Sequence, residues 1–276
     1  MTAWRKVSDW LGTRAVLIAG ILVLIYLFLP MVVVVGMSFN VPPSPNLYQF
    51  GSFTWTNWTQ LCRPDGLCAA LWRSLEIAAL ATLGSTILGT MLAFALVRHR
   101  FTGRAAVNLL LFLPLASPEI VMGSSLLALF VAAGFGGRLG FWTILIAHIM
   151  FCLSFVVVTV KARLSGMDAR LEEAAMDLYA NEWQTFWRIT FPLVFPGILG
   201  AALLSFSLSF DDFIVTNLTA GTTTTFPMFV WGAARRQIPM QINVVGTLMF
   251  LVSLAVVLAG RIDWRRRLTM KLHEDS

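Results

Sequence analysis

The residues of this chain best suited to chemistry are three carboxylates set among apolar neighbours. Glu119 stands 14 residues into the run that begins at Ala105, about 21 Å along a helix. Asp211 and Asp212 are adjacent and follow the hydroxyls of Ser205, Ser207 and Ser209. Ionisable groups at such depths are costly in a membrane and by default point to a pathway or binding role. Structural uses stay open. Ser117-Pro118-Glu119 has the pattern of N-cap, N1 and N2 of a helix restarting after a break, and the aspartates could sit at a membrane interface. Neighbours on a regular helix point about 100° apart, so only one of the pair can face a pathway squarely.

Other chemistry is missing from the sequence. A phosphate-binding loop needs Gly-Lys-Ser/Thr, and Lys6, Lys161 and Lys271 follow Arg5, Val160 and Met270. His99, His148 and His273 are too scattered to form a metal cluster or a triad, so neither catalytic nor metal-ligating residues are expected. His148 is expected to be a hydrogen-bonded packing residue.

The elements that must position the acids are membrane helices. Of 276 residues, 58% are hydrophobic and 12% charged, which identifies an all-α, polytopic integral membrane protein. Six spans are predicted: 15–37, 71–97, 105–133 with breaks at Pro114 and Pro118, 141–160, 193–216 and 241–260. Arg63, Arg73, Arg138, Arg235 and Arg236 lie on one side; the other 15 of the 20 basic residues fall on the opposite side, with both termini. By the positive-inside rule that side is cytoplasmic. The net charge of +6 is therefore a topology signal, and no nucleic-acid partner is expected. Cys62 and Cys68 then lie in an outer, oxidising loop around the turn Pro64-Asp65-Gly66 and are predicted to form a disulfide, with a free pair as the alternative. Cys152 should be an inert packing residue. Ala81, Ser85, Gly89 and Ala93 form a small-residue stripe suited to close helix packing.

Between the fourth and fifth runs lies a polar island, 171–196. Asp168 can cap a helix whose apolar face holds Leu171, Ala174, Ala175 and Leu178, with Glu172, Glu173 and Asp177 opposite. Asn181 and Gln184 form a capping box for a second helix lined by Trp183, Phe186, Trp187 and Thr190, which Pro192 and Pro196 should end. Helices this short cannot cross a bilayer.

Glu173-Ala174-Ala175, then Asp177-Leu178, then Phe186, Ile189 and Pro192 resemble the EAA loop of bacterial ABC-importer permeases. This chain departs from the family at Tyr179, where Gly is usual. The resemblance extends over residues 71–260, the core of the type I permease fold, within a single transmembrane domain whose coupling loop spans 161–192. Ser207 to Phe213, before Thr219-Ala220-Gly221, resembles the spermidine/putrescine permease subfamily. It implies a multi-pass protein of the bacterial cytoplasmic membrane that contacts lipid. Its partners would be a paralogous permease, a dimer of cytosolic ABC ATPases that bind ATP and Mg²⁺, and an extracytoplasmic substrate-binding protein. Glu172, Glu173, Ala174, Ala175, Asp177, Leu178 and Tyr179 would contact the ATPase, and Glu119, Asp211 and Asp212 would line the path of a polyamine. A permease for iron(III), thiamine or a sugar, or a membrane scaffold without transport, remains an alternative.

Overall fold

The computed structural model describes residues 2–44 and 48–274, with side chains over 14–44 and 48–258. Arg5, Lys6 and the basic residues from Arg261 onward, all counted in the topology argument, lie outside the described side chains. In chain order the helices are α1 (Thr2–Ser38), α2 (Thr56–Thr59), α3 (Leu67–Arg98), α4 (Arg104–Ala116), α5 (Glu119–Ala132), α6 (Phe141–Ser165), α7 (Arg170–Asp177), α8 (Glu182–Thr185), α9 (Phe191–Asp211), α10 (Ile214–Thr219), α11 (Phe226–Ala234) and α12 (Gln241–Glu274). Strands β1 (Asn40–Val41) and β2 (Ser52–Phe53) pair antiparallel, a small addition to the expected all-helical chain. Among the described residues five helices are long and apolar enough to cross a membrane, or six if α4 and α5 count as one broken span.

The chain divides into two compact units, residues 1–68 with 232–276, and residues 69–231. In the first, α1 packs along α12, and Phe28 meets Phe250 edge-on at 6.2 Å. Phe39 stacks on Phe53 and Trp58 beside the ribbon. Asn57 donates to the Ser38 and Asn40 carbonyls, which satisfies backbone left open where α1 ends. Cys62 and Cys68 form a disulfide with Cα atoms 5.3 Å apart. The intervening Pro64-Asp65-Gly66 closes the loop, with Gly66 at φ 84, where a side chain would be strained.

In the second unit α6 is the central helix, packed most extensively on α9 and also on α4 and α10. Val156, Val157 and Val160 of α6 are buried against Ala93 and Leu96 of α3, Leu111 of α4, and Val194 and Ala201 of α9. The stripe Ala81, Ser85, Gly89 and Ala93 is buried inside this unit. A Cβ on Gly89 would lie 2.6 Å from a Val156 methyl, so Gly there lets α3 approach α6 closely. Cys152 is buried, as expected of a packing residue.

Three expectations about the helices are corrected. The third span is two helices bent by 112°. Ser117 and Pro118 are both extended, and Ser117 Oγ bonds back to the Leu113 carbonyl at 2.7 Å instead of capping forward. Pro118 is thus the N-cap, and Glu119 takes N1 instead of N2. The polar island also does not end at its prolines. From Glu182 the helix continues through a π-helical segment, Phe186–Thr190, into α9. The Phe191 amide reaches back five residues to the Phe186 carbonyl, and Pro192 falls in the first turn of α9, where a missing N–H costs little. At its far end this span stops at Asp211, not Thr216, because Asp212 is extended (φ −63, ψ 126) and α10 starts afresh.

Candidate functional site

The aspartate pair occupies the break between α9 and α10, and its members face different surroundings. Asp211 is exposed, whereas Asp212 is 8% exposed. Asp212 Oδ2 accepts from the Thr216 amide at 2.7 Å and its hydroxyl at 2.8 Å, and Oδ1 accepts from the Val215 amide at 3.4 Å. That is how a carboxylate satisfies the orphan amides at a helix start. His148 of α6 closes the network: Nδ1 is 2.7 Å from Ser209 Oγ, and Nε2 is 2.9 Å from Thr216 Oγ1 and 3.4 Å from Asp212 Oδ2. His148 is therefore a buried, hydrogen-bonded packing residue, and Asp212 is committed to the same scaffold. Glu119 is exposed in the first turn of α5, where the helix dipole favours an acid. Among the described residues no hydrogen bond or ion pair joins it to either aspartate. Its helix does pack on α10: a Cβ on Gly123, one turn further on, would lie 2.8 Å from Leu218.

The second cluster is the α7–α8 region. The N-cap of α7 is Ala169 instead of Asp168, one position earlier, whose Oδ1 accepts from the Arg170 amide at 3.0 Å, and the Asn181–Gln184 capping box is formed at 2.8 and 3.1 Å. The face carrying Leu171, Leu178 and the nearby Met176 is not buried by this chain; Leu178 is 82% and Trp183 70% exposed. Glu173, Ala174 and Asp177 are exposed too, and Ala175 is half-buried. Trp183, Phe186 and Trp187 pack on one another and lead to Phe191 through ring contacts.

Tyr179 is the one non-glycine residue with positive φ, 60°, among the described residues. Its amide donates to the Met176 carbonyl at 2.9 Å, and the Ala180 amide to the Ala175 carbonyl at 3.1 Å. These are the two bonds of a Schellman C-cap, whose left-handed position is Tyr179 itself. Tyr tolerates the site because its side chain, 98% exposed, meets nothing. Tyr179→Gly removes about 1 kcal/mol of left-handed strain and returns about 0.4–1 kcal/mol of unfolded-chain entropy. Stability should therefore be unchanged, whereas β-branched Tyr179→Val should cost about 1 kcal/mol or more, both read by thermal melting.

Glu172 differs from its neighbours. Arg98, the last residue of α3, donates to both carboxylate oxygens, and the Thr190 hydroxyl donates to Oε1. Burial pushes the Glu172 carboxyl up, but these hydrogen bonds and the Arg98 charge outweigh it and hold the group below its ordinary 4.5. A depressed acid stabilises the fold above that value and loses its contribution as pH falls through the folded one. Sequence reasoning placed Thr190 only on a face of the second helix and missed that it and Arg98 meet at Glu172. Arg98 carried only a topology signal, and nothing local pairs residues 74 positions apart.

Comparisons with known proteins bear on the whole chain. It is 37% identical over 242 residues to the spermidine/putrescine transport system permease protein PotC of Haemophilus influenzae, covering 87% of this chain and 93% of that one. It is likewise 37% identical over 245 residues to the putrescine transport system permease protein PotI of Escherichia coli K12, covering 87% and 85%. A solved bacterial ABC transporter involved in import of the acidic polysaccharide alginate contains a chain of the same fold, with a TM-score of 0.70 at 19% identity, covering 96% of this chain and 99% of that one. Residues 85–263, which include both clusters, match the family model for the binding-protein-dependent transport system inner membrane component. This chain belongs to that family: it is an ABC-transporter permease, a multi-pass membrane component of transport and not an enzyme.

Proposed function

We propose that this chain is one permease subunit of an ATP-driven importer of spermidine and putrescine. The observation that carries the reading is 37% identity, across 87% of the chain, to two permeases named for those amines. The site chemistry agrees. An exposed Asp211 and aromatic rings suit an ammonium-bearing chain on Coulombic and cation–π grounds. The distribution of basic residues supports cytoplasmic termini and a cytoplasmic α7–α8, with the Cys62–Cys68 disulfide outside.

The partners are a paralogous permease, an ATPase dimer under α7–α8, and an extracytoplasmic binding protein. The transmembrane domain is one working unit, its core over 71–260 and its coupling loop over 161–192. ATP and Mg²⁺ belong to the ATPase, since this chain has no phosphate-binding loop. Docking of the loaded binding protein opens the outer side as the ATPases close, and hydrolysis resets the path.

Uptake of labelled putrescine and spermidine by the reconstituted complex tests the substrate. Saturable, ATP-dependent entry of either amine is expected. Absence of amine uptake alongside ATP-driven uptake of iron(III), thiamine or a sugar would move the chain to another substrate class.

A further inference from the structure

Within α7, Glu172 and Glu173 stand side by side in the first turn yet face different ways. Glu173 is exposed, whereas the Glu172 side chain is 12% exposed and turned into the protein. Its two oxygens gather three donors from two other elements: both terminal nitrogens of Arg98 at the end of α3, and the hydroxyl of Thr190. Thr190 is 4% exposed and is the last residue of the π-helical segment that feeds α9. Beside this junction lies a cavity of ≈ 950 Å³ lined by Phe94, His99, Met176, Trp183 and Phe186 among others. Arg98, Glu172 and Thr190 line the same cleft, so the carboxylate bridges α7 and α3 across it.

We propose that Glu172 is a positioning residue: a strut that ties the coupling helix α7 to α3 and α9 instead of a contact with the ATPase. The inference rests on the reading of α7 as the docking helix and adds how its motion enters the membrane. α7 packs on α8 and on the π-helical segment, and the bidentate pair adds a tie to α3, so a displacement of α7 is passed to the spans it is joined to. The 21 residues of α9 then carry that displacement about 30 Å to Asp211 at the far end. π-Helical segments mark places where a helix can change register, and Thr190 fixes the strut at one.

The test uses the complete complex of both permeases, the ATPase pair and the binding protein. Glu172→Gln keeps the shape but sets an amide N–H against Arg98. The ATPase is expected to co-purify at the wild-type ratio, while amine transported per ATP hydrolysed falls about tenfold, within the range of an allosteric coupling. Thr190→Val, losing one neutral donor, should lower that ratio about threefold. Arg98→Glu should uncouple as Glu172→Gln does, and Arg98→Glu with Glu172→Arg should recover most of the ratio. Wild-type transport per ATP in Glu172→Gln, or a charge-swapped pair no better than Arg98→Glu alone, overturns the strut. Loss of the ATPase from Glu172→Gln overturns it too, by making Glu172 a docking contact. Failure of the docking reading shows elsewhere: Glu173→Lys would then leave the ATPase bound.

Discussion

Glu173→Lys is expected to strip the ATPase from the complex while leaving the membrane helices folded. Glu173 is exposed and belongs to none of the buried clusters, so its replacement disturbs no packed core. What it changes is the charge at the rim of an apolar surface of α7–α8 that the described residues leave uncovered, formed by Leu171, Met176, Leu178 and Trp183. An uncovered patch of this kind on a polar loop marks a protein contact. A reversed charge at the rim of such a contact costs several kcal/mol, or a hundredfold and more in affinity. Lysine in the first turn also opposes the helix dipole by about 0.3–1 kcal/mol, so Glu173→Gln serves as the control that removes charge without reversing it. The measurement is the ratio of ATPase to permease after purification through a tag on this chain, with substrate-stimulated hydrolysis as second readout. Wild-type values for both in Glu173→Lys exclude α7 as the docking helix.

The structure shows which parts of this arrangement local sequence could carry. The capping box at Asn181 and Gln184 was legible because it is a three-residue pattern with one geometric outcome. The small stripe on α3 was legible because a period of four on a helix always makes one face. Proline was read less well. Pro114 lies inside α4 and Pro196 inside α9, and neither ends its helix. Membrane helices tolerate proline when neighbours supply hydrogen bonds; Arg163 Nε reaches the Leu193 carbonyl at 3.0 Å beside that stretch of α9.

Tyr179 illustrates a departure whose consequence needed the structure. The sequence showed a non-glycine where a left-handed residue is usual, but both outcomes, a different turn or a strained one, were consistent with it. The two Schellman bonds and the fully exposed ring decide for the same turn at a small cost. Asp211 and Asp212 are the sharper case. Adjacency implied that they diverge, yet which one turns inward depends on where α9 breaks. That break depends on His148, Ser209 and Thr216 meeting across α6, α9 and α10.

This division of the pair sets opposite expectations for the two Asn substitutions. Asp211→Asn changes an exposed group at the end of α9, so assembly and ATPase binding should match the wild type. Uptake of putrescine and spermidine should fall about fivefold or more, since one lost charge contact is worth about 1 kcal/mol in water and about 4 kcal/mol in a partly screened path. The contact must be weak, because a tightly held cation would not leave; strong binding belongs to the soluble partner. Asp212→Asn should fail differently. Its two oxygens accept from the Val215 amide and from the amide and hydroxyl of Thr216, so an Asn NH₂ turned into that shell meets donors. The cost is about 1–3 kcal/mol, read as a lower yield of assembled complex before any transport is measured. Glu119→Gln should lie between them, losing some uptake and part of its favourable dipole contact at the start of α5. Normal uptake of both amines by a fully assembled Asp211→Asn complex would remove the charge from the pathway and leave Asp211 as an interfacial residue at the end of α9.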